Sequence, residues 1–365
     1  MPTPRSTMRL VEACLVTAFL IMSASLKTDA QQRSKSGVTV VPNEAARRVD
    51  VLVNGQPFTS YIWPDTLKKP TLYPLHTAAG TPITRGYPMD PRPGERVDHP
   101  HHVGLWFNYG DVNGVDFWNN STSLKPEQSA KMGTVMHRKI VRTKGGKETG
   151  ELEVETEWVM PDGKPILREN TRFVFHAGPN MRGIDRITKL TALDRTVVFK
   201  DNKEGVLGLR VARALEQPSK EPQVYTDASG KPTDVPAMNN EGVNGVYRSS
   251  EGQTGDDVWG TRGRWVTLSG KVSGEDVVVA MLDHPLNPGY PTYWHARGYG
   301  LFAANPLGQK VFSTDKKEAA VRELNLTLQP KQSTTFRHRV LILNEAAAMP
   351  EQIETQHRKF VADVK

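Results

Sequence analysis

The chain has 365 residues, of which 37% are hydrophobic and 24% charged, the balance of a globular protein able to bury a sizeable core. Its formal net charge of +7 is scattered through segments of mixed sign, and the sequence contains neither a Lys/Arg block nor a recognisable DNA-recognition helix. This pattern argues against a nucleic-acid partner and mainly favours solubility. The single cysteine, Cys14, excludes disulfides and cysteine-ligated metal centres from the remaining chain.

The first thirty residues have the outline of a secretory signal. Arg5 and Arg9 precede an apolar stretch at residues 10–22, and small residues suited to cleavage follow it, up to Ala30. That stretch is too short to span a bilayer as a helix, which needs about 20 residues. We therefore expect residues 1–30 to be removed, leaving a periplasmic or secreted protein with no membrane association. A retained N-terminal anchor is the alternative.

Residues 31–47 are polar and predict a flexible tail with one short strand at 38–41. Residues 48–365 predict a single domain. The segment 217–263, rich in Gly, Pro, Asn and Ser, is interpreted as a long surface excursion within that domain, because strand-like sequence resumes on both sides.

Alternation of polar and less polar side chains at every second residue predicts strands along most of the domain. Asn54-Gly55 supplies the positive φ of a type I′ turn and predicts a hairpin. Residues 151–158 alternate glutamate with less polar side chains, and a second alternating run at 167–176 pairs back after a turn. Further β-type runs lie at 134–143, 182–193, 206–211, 265–268, 277–282, 321–328 and 335–343. The fold class is therefore all-β, a large antiparallel sandwich in which only residues 350–364 look helical.

The densest group of versatile side chains contains His99, His101 and His102, with Trp106 just after them. Pro100 predicts an extended backbone, so His99 and His101 are expected to point the same way. Such a pair can present two imidazoles to a divalent metal ion. A third ligand would come from Asp116, His76, Asp283 or His295. The alternative is that the imidazoles donate to backbone carbonyls or bind substrate hydroxyls.

A second group lies between residues 283 and 306 and is interpreted as loops that border strands. It contains Asp283, His284, Trp294, His295, Arg297, Tyr299 and Asn305. Trp294 and Tyr299 are expected to stack on a sugar face, while His295, Arg297 and Asn305 bond hydroxyls or a carboxylate. The alternative places the aromatic rings in the core and pairs Arg297 with a structural acid.

Isolated titratable residues form a weaker set of candidates. They are His76, Arg85, Glu169, Lys203, Glu204 and Arg210. Acid/base chemistry near neutral pH needs one group that gives a proton and one that takes it, as a histidine and a desolvated glutamate can do together. The usual role of such residues is a salt bridge. Signatures of nucleotide-binding loops and serine hydrolases are missing from the sequence, so no nucleotide cofactor is expected.

Five segments resemble the bacterial family called PmoA-like. They are HPHHVGLW at 99–106, GVLGLR at 205–210, VWG at 258–260, DHPLN at 283–287 and YWHARGYGLFAANP at 293–306. The resemblance covers roughly residues 48–345. The family name derives from particulate methane monooxygenase, whose subunit spans the membrane several times. Because this sequence has no such spans, we discount methane oxidation.

The resemblance implies a secreted protein of polysaccharide-degrading bacteria, encoded near sugar oxidoreductases, and a β-supersandwich like that of aldose mutarotases. We therefore expect acid/base chemistry on a small-molecule or oligosaccharide substrate: epimerisation, mutarotation or glycosidic cleavage. The expected catalytic residues are His101, His102, His284, His295 and Asp283. The expected substrate-binding residues are Trp106, Trp294, Arg297, Tyr299, Asn305 and Arg210. The alternatives are a noncatalytic glycan-binding module, and a metal-dependent oxidase or hydrolase built on His99 and His101.

Overall fold

The computed structural model describes Met1 and residues 36–317, 321–344 and 349–365. Apart from Met1, the expected signal segment lies outside these residues. Residues 37–365 form one compact unit. Within the described ranges, no helix is long and apolar enough to cross a membrane. The all-β prediction is confirmed, with two eight-stranded antiparallel sheets and a smaller two-stranded one.

In chain order the strands are β1 (Val38–Asn43), β2 (Arg48–Val53), β3 (Gln56–Ile62), β4 (Thr71–Leu72), β5 (Leu105–Tyr109), β6 (Thr134–Lys144), β7 (Thr149–Val159), β8 (Pro165–Gly178), β9 (Met181–Ala192), β10 (Val197–Phe199), β11 (Gly205–Arg210), β12 (Val246–Ser249), β13 (Trp265–Val272), β14 (Glu275–Asp283), β15 (Tyr293–Arg297), β16 (Leu301–Asn305), β17 (Leu326–Leu328) and β18 (Ser333–Leu343). The helices are α1 (Pro126–Ser129), α2 (Gln309–Asp315) and α3 (Pro350–Asp363).

The first sheet has the order β1-β2-β3-β4-β5-β11-β16-β15, and the second β12-β13-β14-β18-β9-β8-β7-β6. The hairpin at Asn54-Gly55 is confirmed, since both residues have positive φ and join β2 to β3. Two expectations differ from the structure. The short strand predicted at 38–41 is confirmed as β1, but it extends to Asn43 and pairs with β2 along its whole length, so this part of the expected flexible tail belongs to the first sheet. Of the run predicted at 321–328, only β17 is a strand, and it pairs with β10.

The sheets pack face to face around aromatic and aliphatic side chains that alternate inward. Phe58 of the first sheet meets Phe175 of the second with ring centroids 6.2 Å apart, and Phe107 lies 5.5 Å from Phe336 in the same way. Burying each such ring contributes roughly 1.5–3 kcal/mol. Burial of this kind must stabilise a domain that has no disulfide.

The outward face of the first sheet determines where polar side chains collect. On β5, β11, β16 and β15 the inward positions belong to the core, and every second residue points away from it. Cross-strand pairing aligns four of these outward positions in one row: Trp106, Gly208, Ala303 and His295. Because Gly208 and Ala303 are small, the Trp106 ring packs over this part of the sheet.

Helix α3 covers the second sheet where β14 ends. Ile353 and Phe360 are fully buried against that sheet, so the predicted C-terminal helix packs on it. Beneath the helix, the carboxylate of Asp283 accepts hydrogen bonds from the Asn287 side chain at 2.7 Å and the Thr292 backbone N–H at 2.8 Å. His357 of α3 donates to the Asp283 carbonyl oxygen at 2.9 Å. Complete burial outweighs the two donors and raises the pKa of Asp283 to about 7.

The raised pKa of Asp283 makes the folded protein bind a proton that the unfolded chain releases near pH 4. Its stabilising contribution is complete below that pH and is lost as the pH rises through about 7. We expect the free energy of unfolding of the wild type, minus that of Asp283→Asn, to fall by up to about 4 kcal/mol from pH 4 to pH 8, at about 1.4 kcal/mol per pKa unit. Urea titrations of both proteins across that range measure it. A difference that stays constant with pH would contradict an Asp283 that folds protonated.

Candidate functional site

The segment 98–102 is a tight turn, which differs from the extended backbone expected from Pro100. The His102 N–H donates to the His99 carbonyl oxygen at 2.9 Å, and His99 has a φ of 40°, in the left-handed region. Non-glycine residues adopt that region rarely, and they do so most often where surrounding contacts impose it at functional sites. Here the contacts come from Arg85.

The Arg85 guanidinium is buried inside this turn. It donates to the carbonyl oxygens of Asp98 and His99, both at 2.9 Å, and of His102 at 3.2 Å. It also contacts the Asp98 carboxylate at 2.5 Å. Arg210 of β11 donates to the same carboxylate oxygen at 2.7 Å. The turn is therefore fixed to the sheet by two buried arginines that share one carboxylate.

Burial alone would raise the pKa of Asp98, but the Arg210 guanidinium, the contact with His99 and the Arg85 guanidinium outweigh it. Together they hold the pKa of Asp98 well below its usual range, so this carboxylate stays charged. Asp98 Oδ2 lies 3.2 Å from His99 Nδ1, without the geometry of a hydrogen bond. The negative charge of this carboxylate next to Nδ1 favours the His99 tautomer that carries its proton there, which leaves Nε2 as the acceptor.

A stack of parallel rings joins the turn to the hairpin between β15 and β16. The His99 ring lies between His102 and Tyr299, at 4.8 Å from each, with interplanar angles of 3° and 6°. The guanidinium carbon of Arg210 lies 5.0 Å from the Tyr299 ring centre. Two segments about two hundred residues apart therefore meet. The His101 ring is nearly perpendicular to that of His99, so the two do not point the same way.

An apolar floor lies next to the stack, on the outward face of the first sheet. Trp106 and Trp118 rings lie over Gly208, where an added Cβ would come within 2.5 Å of the former and 2.8 Å of the latter. Trp106, His102 and Trp118 each have a buried ring nitrogen that contacts no hydrogen-bond partner among the described residues. Buried donors without partners are uncommon and cluster where a ligand or water binds.

A pocket of about 450 Å³ opens on the other side of Tyr299. It is lined by Trp259, Arg297 and Tyr299, with the segment 217–223 along one rim. Arg297 is exposed, and its guanidinium carbon lies 5.2 Å from the Trp259 ring and 5.8 Å from the Tyr299 ring. Pockets of this size hold small ligands, and aromatic rings beside polar groups suit a sugar.

A carboxyl and an imidazole lie at the edge of this region. Glu204, just before β11, has Oε2 at 3.9 Å from Nδ1 of His295 on β15. His295 Nδ1 donates to the Lys203 carbonyl oxygen at 3.1 Å. Burial, followed by the charges of Arg297 and Lys203, lowers the pKa of His295 to about 3. Burial also raises the pKa of Glu204, against the opposing charge of Lys203. His295 is therefore neutral, and Glu204 retains its proton to higher pH than an ordinary glutamate.

Several expected site residues have other positions. Trp294 points into the core and donates to the Gly263 carbonyl oxygen at 3.1 Å, so it cannot stack on a substrate. Asn305 is buried and bonds the backbone of Asn202, Leu307 and Gly308. The expected catalytic residues Asp283 and His284 lie under α3, where His284 packs against Phe360. None of these contacts the turn or the pocket.

The remaining expected residues lie at the site with altered roles. Burial lowers the pKa of both His101 and His102, more than any nearby charge does, so these rings are neutral. Trp106 is buried beneath His102, at a ring distance of 5.0 Å. Arg210 is committed to Asp98. Arg297 and Tyr299 line the pocket, and their predicted contact with a substrate stays a prediction.

A metal site receives no geometric support. Across the described ranges, no three His, Asp, Glu or Cys side chains are grouped so that they could hold an ion. The rings of His99 and His101, the expected ligand pair, have centroids 5.7 Å apart and an interplanar angle of 73°. His101 instead offers its carbonyl oxygen to Lys69 at 2.7 Å.

Two residues of the site were not among the sequence candidates for it. Trp259 lies in the segment interpreted as a surface excursion, and only the resemblance of VWG at 258–260 pointed to it. Asp98 directly precedes the histidine group and was not among the candidates. Its position between two arginines depends on pairing between distant strands. Glu204 was one of the weaker candidates, and its burial could not be inferred from a loop sequence.

Solved structures with a similar fold include the galactosidase domain of the α-galactosidase–sucrose kinase AgaSK (TM-score 0.38, 9% identity, covering 84% of this chain and 42% of that one). A second is the GH36 α-galactosidase AgaB from Geobacillus stearothermophilus, with a TM-score of 0.38 and 11% identity, covering 84% of this chain and 40% of that one. A third is a galactose mutarotase-like protein from Clostridium acetobutylicum, with a TM-score of 0.31 and 11% identity, covering 84% of this chain and 98% of that one. This chain thus spans about two fifths of the length of the two galactosidase chains. Likeness at this level concerns the fold alone.

No curated protein matches the sequence. The matches carry no methane oxygenase name, so the PmoA-like resemblance stays a prediction. The model of one family aligns with residues 48–358, nearly the whole of the β-sandwich. The chain therefore belongs to the family of unknown function DUF6807.

Proposed function

We propose that this protein is an exported carbohydrate-active enzyme that binds a sugar in the pocket beside Tyr299 and moves protons with Glu204 and His99. The observation that carries the proposal is that the His99 ring, next to the charged Asp98, stacks on Tyr299, and that the desolvated Glu204 is close enough for the Arg297 charge to act on it. Tyr299 and Arg297 both line the pocket, together with Trp259. Export rests on the N-terminal sequence alone.

The binding part of the proposal rests on the rings around the pocket. Trp259 and Tyr299 line the pocket, where aromatic rings can contact the C–H groups of a sugar. The Trp259 indole N–H is buried without a hydrogen-bond partner among the described residues, so a ligand hydroxyl can accept from it. Arg297 supplies further donors between the two rings.

The proton-transfer part rests on the different environments of two groups. Glu204 is desolvated, which raises its pKa and favours its neutral form, while the nearby His99 ring acts in the opposite direction. His99 has 39% of its side chain exposed and presents Nε2 as an acceptor. One group that gives a proton and one that takes it is what mutarotation, epimerisation and glycosidic cleavage have in common.

A glycan-binding module without catalysis is the second candidate. It is favoured by the fact that Trp259, Arg297 and Tyr299 suffice to hold a sugar without any proton transfer. The two functions differ in what Glu204 does, because a binder needs no poised acid.

We expect Glu204→Gln to lower turnover by about 100-fold or more, since positioned acid/base groups typically contribute 10²–10⁴ in rate, while sugar affinity changes less than about threefold. The wild-type pH–rate profile should contain a limb, above the usual range of glutamate, that the variant lacks. An NMR screen of oligosaccharides and oxidised sugars measures this, because it reports anomer exchange, epimerisation and cleavage together.

The matched control is Glu148→Gln, which removes an exposed carboxylate from the turn before β7 and should behave as the wild type. Equal loss of turnover and affinity in Glu204→Gln would assign Glu204 to binding. Sugar binding without any conversion by the wild type would favour the noncatalytic module. An absence of both would overturn the proposed function.

A further inference from the structure

The wall behind Tyr299 contains more buried positive charge than negative. Arg85 and Arg210 share Asp98, and Arg210 also lies 3.8 Å from Glu216. Glu216 receives two further arginines, Arg96 at 3.0 Å and Arg213 at 3.3 Å. Four guanidinium groups are therefore balanced by two carboxylates.

This imbalance is costly in a buried place, because charges removed from water need partners. Burial also raises the pKa of Glu216, although the charges of Arg210, Arg96 and Arg213 oppose this shift. The ionised form of Glu216 is therefore less favoured than that of an ordinary glutamate. Arg96 lines the pocket directly, so the surplus acts on whatever occupies it. A ligand with a negative charge would reduce this cost.

Arg297 adds a cation at the pocket itself. Within the described parts of the chain, its guanidinium contacts no carboxylate and makes no hydrogen bond, although it lies between two aromatic rings. A planar guanidinium held against rings presents its donors in a fork that matches a carboxylate.

The two acidic residues that line the pocket, Asp256 and Glu221, form no ion pair with Arg297. The Arg297 charge also acts on Glu204, which lies outside the lining and whose neutral form is favoured by burial. Asp256 accepts from Lys220 at 3.0 Å and from Gln217 at 2.6 Å. Glu221 lies exposed on the rim, where solvent screens its charge.

We infer that the ligand of this pocket is an acidic carbohydrate, a uronate whose carboxylate forms a bidentate pair with Arg297 between Trp259 and Tyr299. The inference rests on the proposed function and specifies its substrate class. The cluster of Arg85, Arg96, Arg210 and Arg213 behind Tyr299 also favours a negatively charged ligand, because only two carboxylates balance its four guanidinium groups. A sulfated sugar would offer a negative charge to the same guanidinium, so the relative affinities of uronates and sulfated sugars distinguish the two.

The test is calorimetric titration with oligogalacturonates, oligoglucuronates and oligomannuronates, each compared with its methyl ester, which removes the charge and keeps the scaffold. We expect the acids to bind at least tenfold more tightly than the esters, with the difference shrinking as salt rises. Arg297→Gln should abolish most of this difference and leave ester binding within about twofold.

Matched variants separate charge from geometry. Arg297→Lys keeps the charge without the fork and should give intermediate affinity for the acids. Glu221→Gln should leave acid binding equal or slightly stronger, and the exposed Arg195→Gln should change nothing.

Esters or neutral oligosaccharides that bind as tightly as the acids would overturn the acidic-ligand inference while leaving the proposed function intact. Tighter binding of a sulfated disaccharide than of every uronate would replace the carboxylate by a sulfate. If neither acidic nor neutral sugars bind or react, both the inference and the proposed function fail.

Discussion

The candidate site depends on one buried ionic contact, the Asp98 carboxylate held between Arg85 and Arg210. Arg210 belongs to β11 in the middle of the first sheet, while Asp98 begins the turn that carries His99. The other anchors of the turn are its backbone carbonyls, which accept from Arg85 and Lys69, and the stack of its rings on Tyr299. The Asp98 contact is the ion pair that joins the turn to the sheet through Arg210. Breaking a buried pair by removing one partner typically costs 3–5 kcal/mol, because the remaining charge is left uncompensated.

This contact links the fold to the proposed chemistry. The antiparallel pairing of β11, β16 and β15 presents Arg210, His295 and Arg297 on the outward face of the sheet, and Asp98 connects that face to the His99 turn. The same carboxylate orients the His99 ring, which then stacks on Tyr299 at the edge of the pocket. Stability and the proposed reactivity therefore share one group, as is common where buried charges are concentrated in a site.

Much of the fold could be predicted from sequence, because alternation and turn chemistry are local. The hairpin at Asn54-Gly55, the β7–β8 pair and the C-terminal helix followed from these signals alone. The site was harder. Residues 293–306 were interpreted as loops, yet their alternation would have directed Trp294 inward and His295 outward on β15. Partnerships such as that of Asp98 with Arg210 arise from long-range strand pairing, which single-sequence patterns do not contain.

The most direct test of this account is amide hydrogen exchange and carbohydrate binding in Asp98→Asn, with the exposed Asp194→Asn as control. The amide keeps the shape of the side chain but removes the charge that two arginines share. We predict exchange of the His102 amide, which donates to the His99 carbonyl, at least tenfold faster than in the wild type, together with a loss of sugar binding, while the amides of β7–β9 stay protected. Unchanged exchange in the turn and unchanged binding would contradict the central role of this contact.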